Sequence, residues 1–216
     1  MTLPAPYYDR DGITIYHADC RDILPTIDPA SVDLLLTDPP YGIGYESSPY
    51  WDNRKVEGDD VTFDPVPLLA FGRCVLWGAN HYCHALPQSD GWIVWDKRLQ
   101  DSTESGLRVP DSEMAWTNVT KRQRVYRQLW AGPMRGGGEN TFVHPTQKPI
   151  GLMSWILQQW SEPGDLILDP YMGSGPVARA CQLLGRRYIG IELVEDYCKA
   201  AVNRLAQPSM FAEEVA

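Results

Sequence analysis

The chain has 216 residues, of which 44% are hydrophobic and 22% are charged, and its formal net charge is −9. A chain of this size and composition forms one globular domain that buries about 70% of its unfolded surface. No apolar run approaches the roughly 18 residues of a membrane-spanning helix, and the first residues do not form a signal peptide. We therefore expect a single domain over residues 1–216, with no membrane partner.

Apolar runs between turn residues predict the strands, which are Ile13–His17, Val32–Thr37, Cys74–Trp77, Trp92–Trp95, Glu113–Thr117, Leu166–Asp169 and Tyr188–Ile191. Helices are predicted at Pro65–Gly72, Asn80–Leu86, Pro149–Trp160, Pro176–Leu184 and Val194–Leu205. This pattern favours an α/β fold with a doubly wound, mostly parallel sheet. Two irregular stretches remain: residues 42–64, interpreted as a lid, and residues 132–140, interpreted as a linker.

The most informative segment follows the second predicted strand and reads Asp38-Pro39-Pro40-Tyr41. Two consecutive prolines can neither continue a central strand nor lie inside a helix, so the chain leaves the sheet in a rigid, extended turn. Open α/β sheets bind their ligands at the carboxyl ends of parallel strands. Asp38 and the Pro39 carbonyl can accept the two N–H groups of an exocyclic amine, and Tyr41 can stack on its ring. An ordinary proline-rich loop is the alternative.

A second segment, Asp169–Ala178, has the form of a nucleotide-binding turn between a strand and a helix. Its glycines permit a tight turn, and the helix N-terminus offers N–H groups to a carboxylate or phosphate. Glu192 ends the next predicted strand 19 residues after Gly173. That spacing is expected of a carboxylate that binds ribose hydroxyls. The segment predicts a site for an adenosine-containing cofactor, without specifying which one.

Four segments together resemble the S-adenosylmethionine-dependent amino-methyltransferases of DNA. The resemblance is to the permuted, beta-type group, in which the catalytic motif precedes the cofactor motif. The segments are His17–Leu24, Asp38–Tyr41, His144–Pro149 (family pattern H-P-T-x-K-P) and Asp169–Gly175 (D-P-F-x-G-S-G, with Tyr171 for Phe). His17-Ala18 replaces the usual glycine-containing approach, and Pro176 stands where Thr is common but suits the first turn of a helix.

The resemblance implies a Rossmann-like class I methyltransferase fold, with Asp38, Pro39, Pro40 and Tyr41 as catalytic residues acting on a flipped base. The implied cofactor is S-adenosylmethionine, and the implied cofactor-binding residues are Asp19, Asp38, Thr146, Lys148, Asp169, Tyr171, Gly173, Ser174, Gly175 and Glu192. Asp19 is expected at the adenine end, and Thr146 and Lys148 at the cofactor carboxylate. In this family an Asp at the first catalytic position accompanies mostly N6-adenine and a Ser mostly N4-cytosine, so Asp38 favours adenine.

The acidic net charge is unusual for a protein that acts on double-stranded DNA, but basic residues are concentrated between the two motifs. Residues 97–135 carry eight basic and four acidic side chains, a net charge of +4, against −13 for the remainder. We predict DNA contacts for Lys121, Arg122, Arg124, Arg127 and Arg135, within a target-recognition region at residues 97–140. A solvated surface segment is the alternative. Because the region is small, the DNA site is short or degenerate, or a second protomer of a homodimer supplies contacts.

The five cysteines lack the paired spacing of a disulfide framework, which favours the reducing cytoplasm. His81, Cys83 and His84 form a cluster, but no second pair of ligands is nearby, so we expect no metal site and assign the cluster to helix packing.

Several alternative functions stay open at the level of sequence. A nicotinamide dehydrogenase would use Gly173 and Glu192 but would leave Asp38–Tyr41 and His144–Pro149 without a role. An N4-cytosine DNA methyltransferase, an RNA adenine methyltransferase and a non-catalytic DNA-binding relative share most of the motifs. A solitary methylase, a restriction-modification partner and a phage-borne enzyme would look alike.

Overall fold

A computed structural model of the protein describes residues 3–44, 57–98, 110–131, 134–135 and 147–208. Its strands are β1 (Tyr8–Arg10), β2 (Ile13–His17), β3 (Leu34–Thr37), β4 (Cys74–Trp77), β5 (Trp92–Asp96), β6 (Ser112–Thr117), β7 (Gln123–Arg127), β8 (Trp130–Ala131), β9 (Met134–Arg135), β10 (Leu166–Asp169) and β11 (Arg187–Glu192). Its α-helices are α1 (Cys20–Ile23), α2 (Val66–Leu69), α3 (Ile150–Trp160), α4 (Pro176–Leu184) and α5 (Glu195–Leu205). Short 3-10 turns lie at Leu24–Thr26, Pro29–Ser31 and Cys83–Ala85.

Within the described residues nine strands form one sheet, in the order β1-β2-β11-β10-β3-β4-β6-β5-β7. β1 and β6 run antiparallel to their neighbours, and the other seven strands all run in one direction. Those seven strands therefore end at the same side of the sheet, which we call the carboxyl edge. The predicted doubly wound, mostly parallel α/β sheet is confirmed.

Side chains of the central strands alternate between two apolar cores. In β3, Leu34 and Leu36 pack with residues of α3, α4 and α5, whereas Leu35 packs on the opposite face with Leu68 of α2. All three β3 leucines are fully buried. Both faces of the strand are covered, and for this reason its sequence is a continuous apolar run instead of an alternating one.

Close helix packing requires the glycine that precedes α4. Gly175 has a φ of +75°, and a Cβ atom there would lie 2.7 Å from the Cβ of Ala201 in α5. Pro176 occupies the first turn of α4, where no backbone N–H is needed. The second glycine of the predicted fingerprint thus lets α4 begin directly against α5.

Most predicted elements are confirmed within one or two residues at their ends, but the predicted helix Asn80–Leu86 is wrong. Only the 3-10 turn Cys83–Ala85 forms there. The Tyr82 ring is fully buried, and its hydroxyl donates to the Trp77 carbonyl at 2.6 Å. This tertiary contact holds the chain in a tight turn where local pattern favoured a helix. Strands β1, β7, β8 and β9 were not predicted.

The predicted lid lies partly outside the described residues, since positions 45–56 are not among them. Its two ends are fastened to each other: the Gly42 N–H donates to Asp59 Oδ1 at 2.8 Å, and the Gly44 N–H to the Asp59 carbonyl at 2.8 Å. Phe63, also within the predicted range, packs in the core. The lid therefore stays a prediction for the intervening residues. No helix in the described part of the chain is long and apolar enough to cross a membrane.

Candidate active site

Both predicted motifs line one cleft at the carboxyl edge of the sheet. The cleft has a volume of about 1230 Å³, and its lining includes Asp38, Tyr41, Lys148, Gly173, Ser174 and Glu192. The two motifs meet because β3 and β10, the strands that precede them, are parallel neighbours. Ligand sites for single small molecules are typically about 300–1000 Å³. This cleft therefore has room for a nucleotide-sized cofactor beside a second planar group.

The Asp38 carboxylate is held at both oxygens. Oδ1 accepts a hydrogen bond from the Tyr41 hydroxyl at 2.6 Å, and Oδ2 accepts one from the Lys148 ammonium. Each carboxylate oxygen keeps a second lone pair for another donor. Burial raises the pKa of Asp38, and the Lys148 ammonium opposes that increase. Asp38 is thus oriented by protein groups while still able to accept an N–H from a ligand.

The Tyr41 ring lies between Gly78 and His81. It stacks on the His81 ring with a centroid separation of 5.1 Å and an interplanar angle of 13°. A Cβ atom at Gly78 would lie 1.8 Å from Tyr41 Cε1, so the glycine leaves room for the ring. His81, assigned above to helix packing, instead covers one face of the aromatic ring. A base that stacks on that face must displace His81, and the stacking role of Tyr41 stays a prediction.

The loop after β10 is tied to the end of β11 by Glu192. Its carboxylate accepts hydrogen bonds from the Gly173 N–H at 2.8 Å and the Val194 N–H at 2.7 Å. Burial raises the pKa of Glu192, and the two N–H groups partly offset this effect. The predicted ribose-binding carboxylate therefore lies at the cleft in a fixed orientation.

Asp169 is more buried than a ligand-binding carboxylate needs to be. It is 2% exposed, and its oxygens accept hydrogen bonds from the Thr37 hydroxyl at 2.7 Å and the Tyr188 hydroxyl at 3.2 Å. Burial raises its pKa to about 7. Asp169 connects β3, β10 and β11 at the wall of the cleft. It lines the cleft together with Tyr171, whose ring packs edge-on against Phe63.

The H-P-T-x-K-P segment is described from Gln147 onward, and Thr146 lies outside the described residues. Lys148, expected near the cofactor carboxylate, contacts Asp38 and lies 2.9 Å from Glu113 Oε2. Gln147 lies beside Ser174, whose hydroxyl donates to Gln147 Oε1 at 3.4 Å. The Gln147 Nε2 is buried and has no hydrogen-bond partner among the described residues. Sequence reasoning missed Gln147 because it occupies the variable position of the motif.

Asp19 has the structural role that a cap residue would have. Its side chain accepts a hydrogen bond from the Arg21 N–H at the start of α1 and pairs with the Arg21 guanidinium. The hydrogen bonds from Arg21 lower the pKa of Asp19. Because Asp19 also lines the cleft, its role at the adenine end stays a prediction.

The predicted DNA-binding residues are divided between the two edges of the sheet. Lys121 and Arg122 precede β7, at the amino edge and away from the cleft, and β7 itself is about 13 Å long. Arg124 bonds Gln159 and approaches the Trp155 ring, so its side chain is directed toward α3. Arg127 ends β7 at the carboxyl edge. The Arg135 side chain lies outside the described part of the chain.

Arg127 and Arg98 both pair with Asp96, the last residue of β5. Hydrogen bonds from these guanidinium groups lower the pKa of Asp96 to about 2. The two arginines bring positive charge to the carboxyl edge, on the same side of the sheet as the cleft. Of the predicted contacts whose side chains the structure describes, Arg127 is therefore the one placed at this edge. Whether any of these residues binds DNA stays a prediction.

Comparison with known proteins decides the family. The family model described as DNA methylase, which covers N6- and N4-specific enzymes, matches residues 77–203, more than half of the chain. The chain belongs to the DNA methylase family. This methylase is 26% identical to the Type II methyltransferase M2.MboI of Moraxella bovis, over 92% of the chain and 90% of that protein. It is also 26% identical to M.HinfI of Haemophilus influenzae, over 90% of the chain and 68% of that protein.

Solved structures show the same fold. The methylase resembles the M1.HpyAVI–SAM complex with a TM-score of 0.58 and 23% identity, covering 89% of the chain and all of that structure. It resembles the PvuII DNA methyltransferase, described as cytosine-N4-specific, with a TM-score of 0.65 and 16% identity, over 95% of the chain and 90% of that structure. At these identities the likeness establishes the fold alone.

Proposed function

We propose that this methylase transfers the methyl group of S-adenosylmethionine to the N6 amine of an adenine flipped out of double-stranded DNA. The observation that carries the proposal is the single cleft lined by both the Asp38–Tyr41 turn and the Gly173–Gly175 turn. An amine held at the first turn and a methyl donor held at the second would share one site. The Type II methyltransferase relatives and the SAM complex among the structural neighbours support this assignment.

The cofactor half of the cleft fits an adenosine-containing amino acid. Glu192 presents a fixed carboxylate where ribose hydroxyls would bind, and the buried Gln147 Nε2 beside Ser174 offers an unused N–H donor to an acceptor such as a carboxylate. S-adenosylmethionine supplies a methyl group already activated on a sulfonium. The protein therefore needs only to orient the two partners and exclude water.

Asp38 performs the remaining chemistry in this proposal. The amine lone pair of a nucleobase is delocalised into the ring, and accepting its N–H groups at Asp38 and the Pro39 carbonyl favours the pyramidal form that attacks. The N–C bond forms as the S–C bond breaks, and the amine loses one proton, for which Asp38 is the adjacent acceptor. Stacking on Tyr41 after displacement of His81 would contribute about 1–3 kcal/mol.

The choice of adenine rests on Asp38, through the family preference described above. N4-cytosine is the second candidate, because the PvuII enzyme, described as cytosine-N4-specific, shares the fold. The deciding experiment incubates the protein with S-adenosylmethionine and unmethylated duplex DNA, followed by mass spectrometry of the nucleosides. Detection of N6-methyladenine supports the proposal. Detection of N4-methylcytosine would mean that the target base is cytosine and not adenine. Absence of any methylated base, with cofactor binding shown separately, contradicts DNA methyl transfer by this chain alone.

The role of Asp38 is tested with Asp38→Ala. We expect methyl transfer to fall by at least about a thousandfold, since a preorganised acceptor is lost. The thermal midpoint should change little, because Lys148 keeps its pairing with Glu113. Asp22→Ala, at an exposed position outside the cleft, is the matched control. Turnover retained in Asp38→Ala would refute the assigned role.

A further inference from the structure

Four charged side chains from four separate segments form a continuous row at the cleft. In order they are Asp38, Lys148, Glu113 and Lys97, and we call this set the charge row. Glu113 lies in β6, and Lys97 directly follows β5. Glu113 Oε1 pairs with the Lys97 ammonium, and Glu113 Oε2 lies 2.9 Å from Lys148 Nζ. The antiparallel insertion of β6 between β4 and β5 places Glu113 at the carboxyl edge.

Burial makes it costly in free energy to leave any charge of this row without a partner. The Lys148 side chain is 3% exposed, and a buried ammonium without a counter-charge is strongly unfavourable. Asp38 alone would neutralise Lys148, so Lys148 does not need Glu113 as a counter-charge, whereas Lys97 does. The contribution of Glu113 at Lys148 is geometric and electrostatic. With Asp38 on one side and Glu113 on the other, the Lys148 ammonium has a fixed position. It interacts with both carboxylates instead of with Asp38 alone.

The way Lys148 is shared between two carboxylates affects Asp38. An ammonium paired with Asp38 alone would weaken Asp38 as an acceptor of an N–H group and as a negative charge near the sulfonium. Glu113 draws Lys148 partly away while still holding it within bonding distance of Asp38. Lys97 in turn pairs with Glu113, so the row carries two cations and two anions.

We propose that Glu113 is a positioning residue for methyl transfer, which holds Lys148 in place beside Asp38 and keeps Asp38 a stronger acceptor of hydrogen bonds and protons. The inference rests on the proposed function, because Asp38 is the group that the row positions. It also assigns Lys148 to the catalytic carboxylate and not to the cofactor carboxylate. Nothing in the local sequence indicates this role, since Glu113 is the second residue of β6 and belongs to no motif.

The groups that face Asp38 set the expected pH response. They are Tyr41 on its own turn, Lys148 before α3, Glu113 on β6, Tyr82 after β4 and Asp169 on β10. Lys148 lowers the pKa of Asp38, and Glu113 raises it. Removing the Glu113 charge therefore lowers the pKa of Asp38. The acid limb of the kcat profile should move to lower pH, while the plateau value of kcat falls.

The test compares Glu113→Gln with the control Glu195→Gln, an exposed glutamate paired with Lys199. Using a DNA duplex that contains the mapped site, we expect kcat to fall by about 10- to 100-fold in Glu113→Gln. The KM for S-adenosylmethionine should stay within about twofold, because the substitution leaves Gln147, Gly173 and Glu192 of the proposed cofactor half unchanged. Unchanged kcat, or an acid limb that does not move, would overturn the proposal.

A double-mutant comparison covers the case in which Glu113→Gln fails to fold. Lys148→Met and the double variant Glu113→Gln/Lys148→Met differ by Glu113 alone. The double variant has no Lys148 ammonium to hold, although Lys97 loses its carboxylate partner in it. If Glu113 acts mainly through Lys148, kcat in the double variant stays within about threefold of kcat in Lys148→Met. A further loss of about 10-fold or more in the double variant would mean that Glu113 acts by another route, contrary to the proposal.

An activity-independent measurement separates this inference from the proposed function. The ¹⁵Nζ resonance of the Lys148 ammonium, assigned with Lys148→Met, should shift in both Asp38→Asn and Glu113→Gln. If the wild-type protein modifies no base, the proposed function fails, and this resonance still decides the pairing. If Glu113→Gln does not change the chemical shift of Lys148 Nζ, then Glu113 and Lys148 are not paired and the inference is refuted.

Discussion

The buried Asp169 carboxyl makes a specific prediction about stability and pH. Asp169→Asn replaces it with an amide of the same shape. The Asn Oδ1 can still accept from the Thr37 hydroxyl. Its Nδ2 can donate to the Tyr188 oxygen, which reverses the bond that the Tyr188 hydroxyl donates to Asp169 and adds a constant offset to stability. The pH-dependent part of the change comes from the removal of one titratable group.

The size of the effect follows from the pKa of Asp169, which burial raises from 3.8 to about 7. At low pH the carboxyl is neutral in both the folded and the unfolded protein. As pH rises above the unfolded value, the unfolded chain loses its proton first, so stability is lost progressively until pH passes the folded pKa. The full loss is about 4 kcal/mol, of which about 2 kcal/mol falls between roughly pH 5.5 and pH 8.

The assay is urea denaturation of the wild-type protein and of Asp169→Asn at several pH values in that interval. We expect the free energy of unfolding of Asp169→Asn, relative to wild type, to increase by about 2 kcal/mol from the lowest pH to the highest. Asp111→Asn, at an exposed position, controls for the loss of one negative charge. A difference between Asp169→Asn and wild type that does not vary with pH would refute the reasoning, whatever its constant offset.

Two further predictions concern the cleft and the DNA contacts. Gly78→Ala should lower kcat by at least about 10-fold, since its Cβ would displace the Tyr41 ring and its hydrogen bond to Asp38. Gly72→Ala is the control, because Gly72 has a similar positive φ but open space where the Cβ would lie. An equal decrease of kcat in both variants would mean that backbone strain alone causes it, and not displacement of Tyr41. Arg127→Ala should lower the slope of log affinity for DNA against log salt concentration by about one, as expected for the loss of one phosphate contact. Arg122→Ala, at the amino edge, should lower that slope by clearly less. The opposite order, measured by titration at several salt concentrations, would mean that DNA approaches the amino edge.

The sequence determined those features that depend on neighbouring residues. Two prolines after an apolar run dictate a rigid turn at the end of β3, wherever the rest of the chain lies. Gly175 and Pro176 likewise fix the beginning of α4. The predicted strand that ends at Glu192 also forms, within one residue at each end, as β11. Local geometry constrains such segments before any long-range packing exists.

Tertiary structure decided everything that depends on partners distant in the chain. The Asn80–Leu86 pattern favoured a helix, but burial of Tyr82 against the core held that segment in a turn. His81 thereby came to lie on Tyr41, forty residues away in sequence. A charged residue in a strand, such as Glu113, gives no local sign of its partner. Only the antiparallel insertion of β6 brings Glu113 to Lys148, because electrostatic pairing depends on spatial proximity and not on sequence separation.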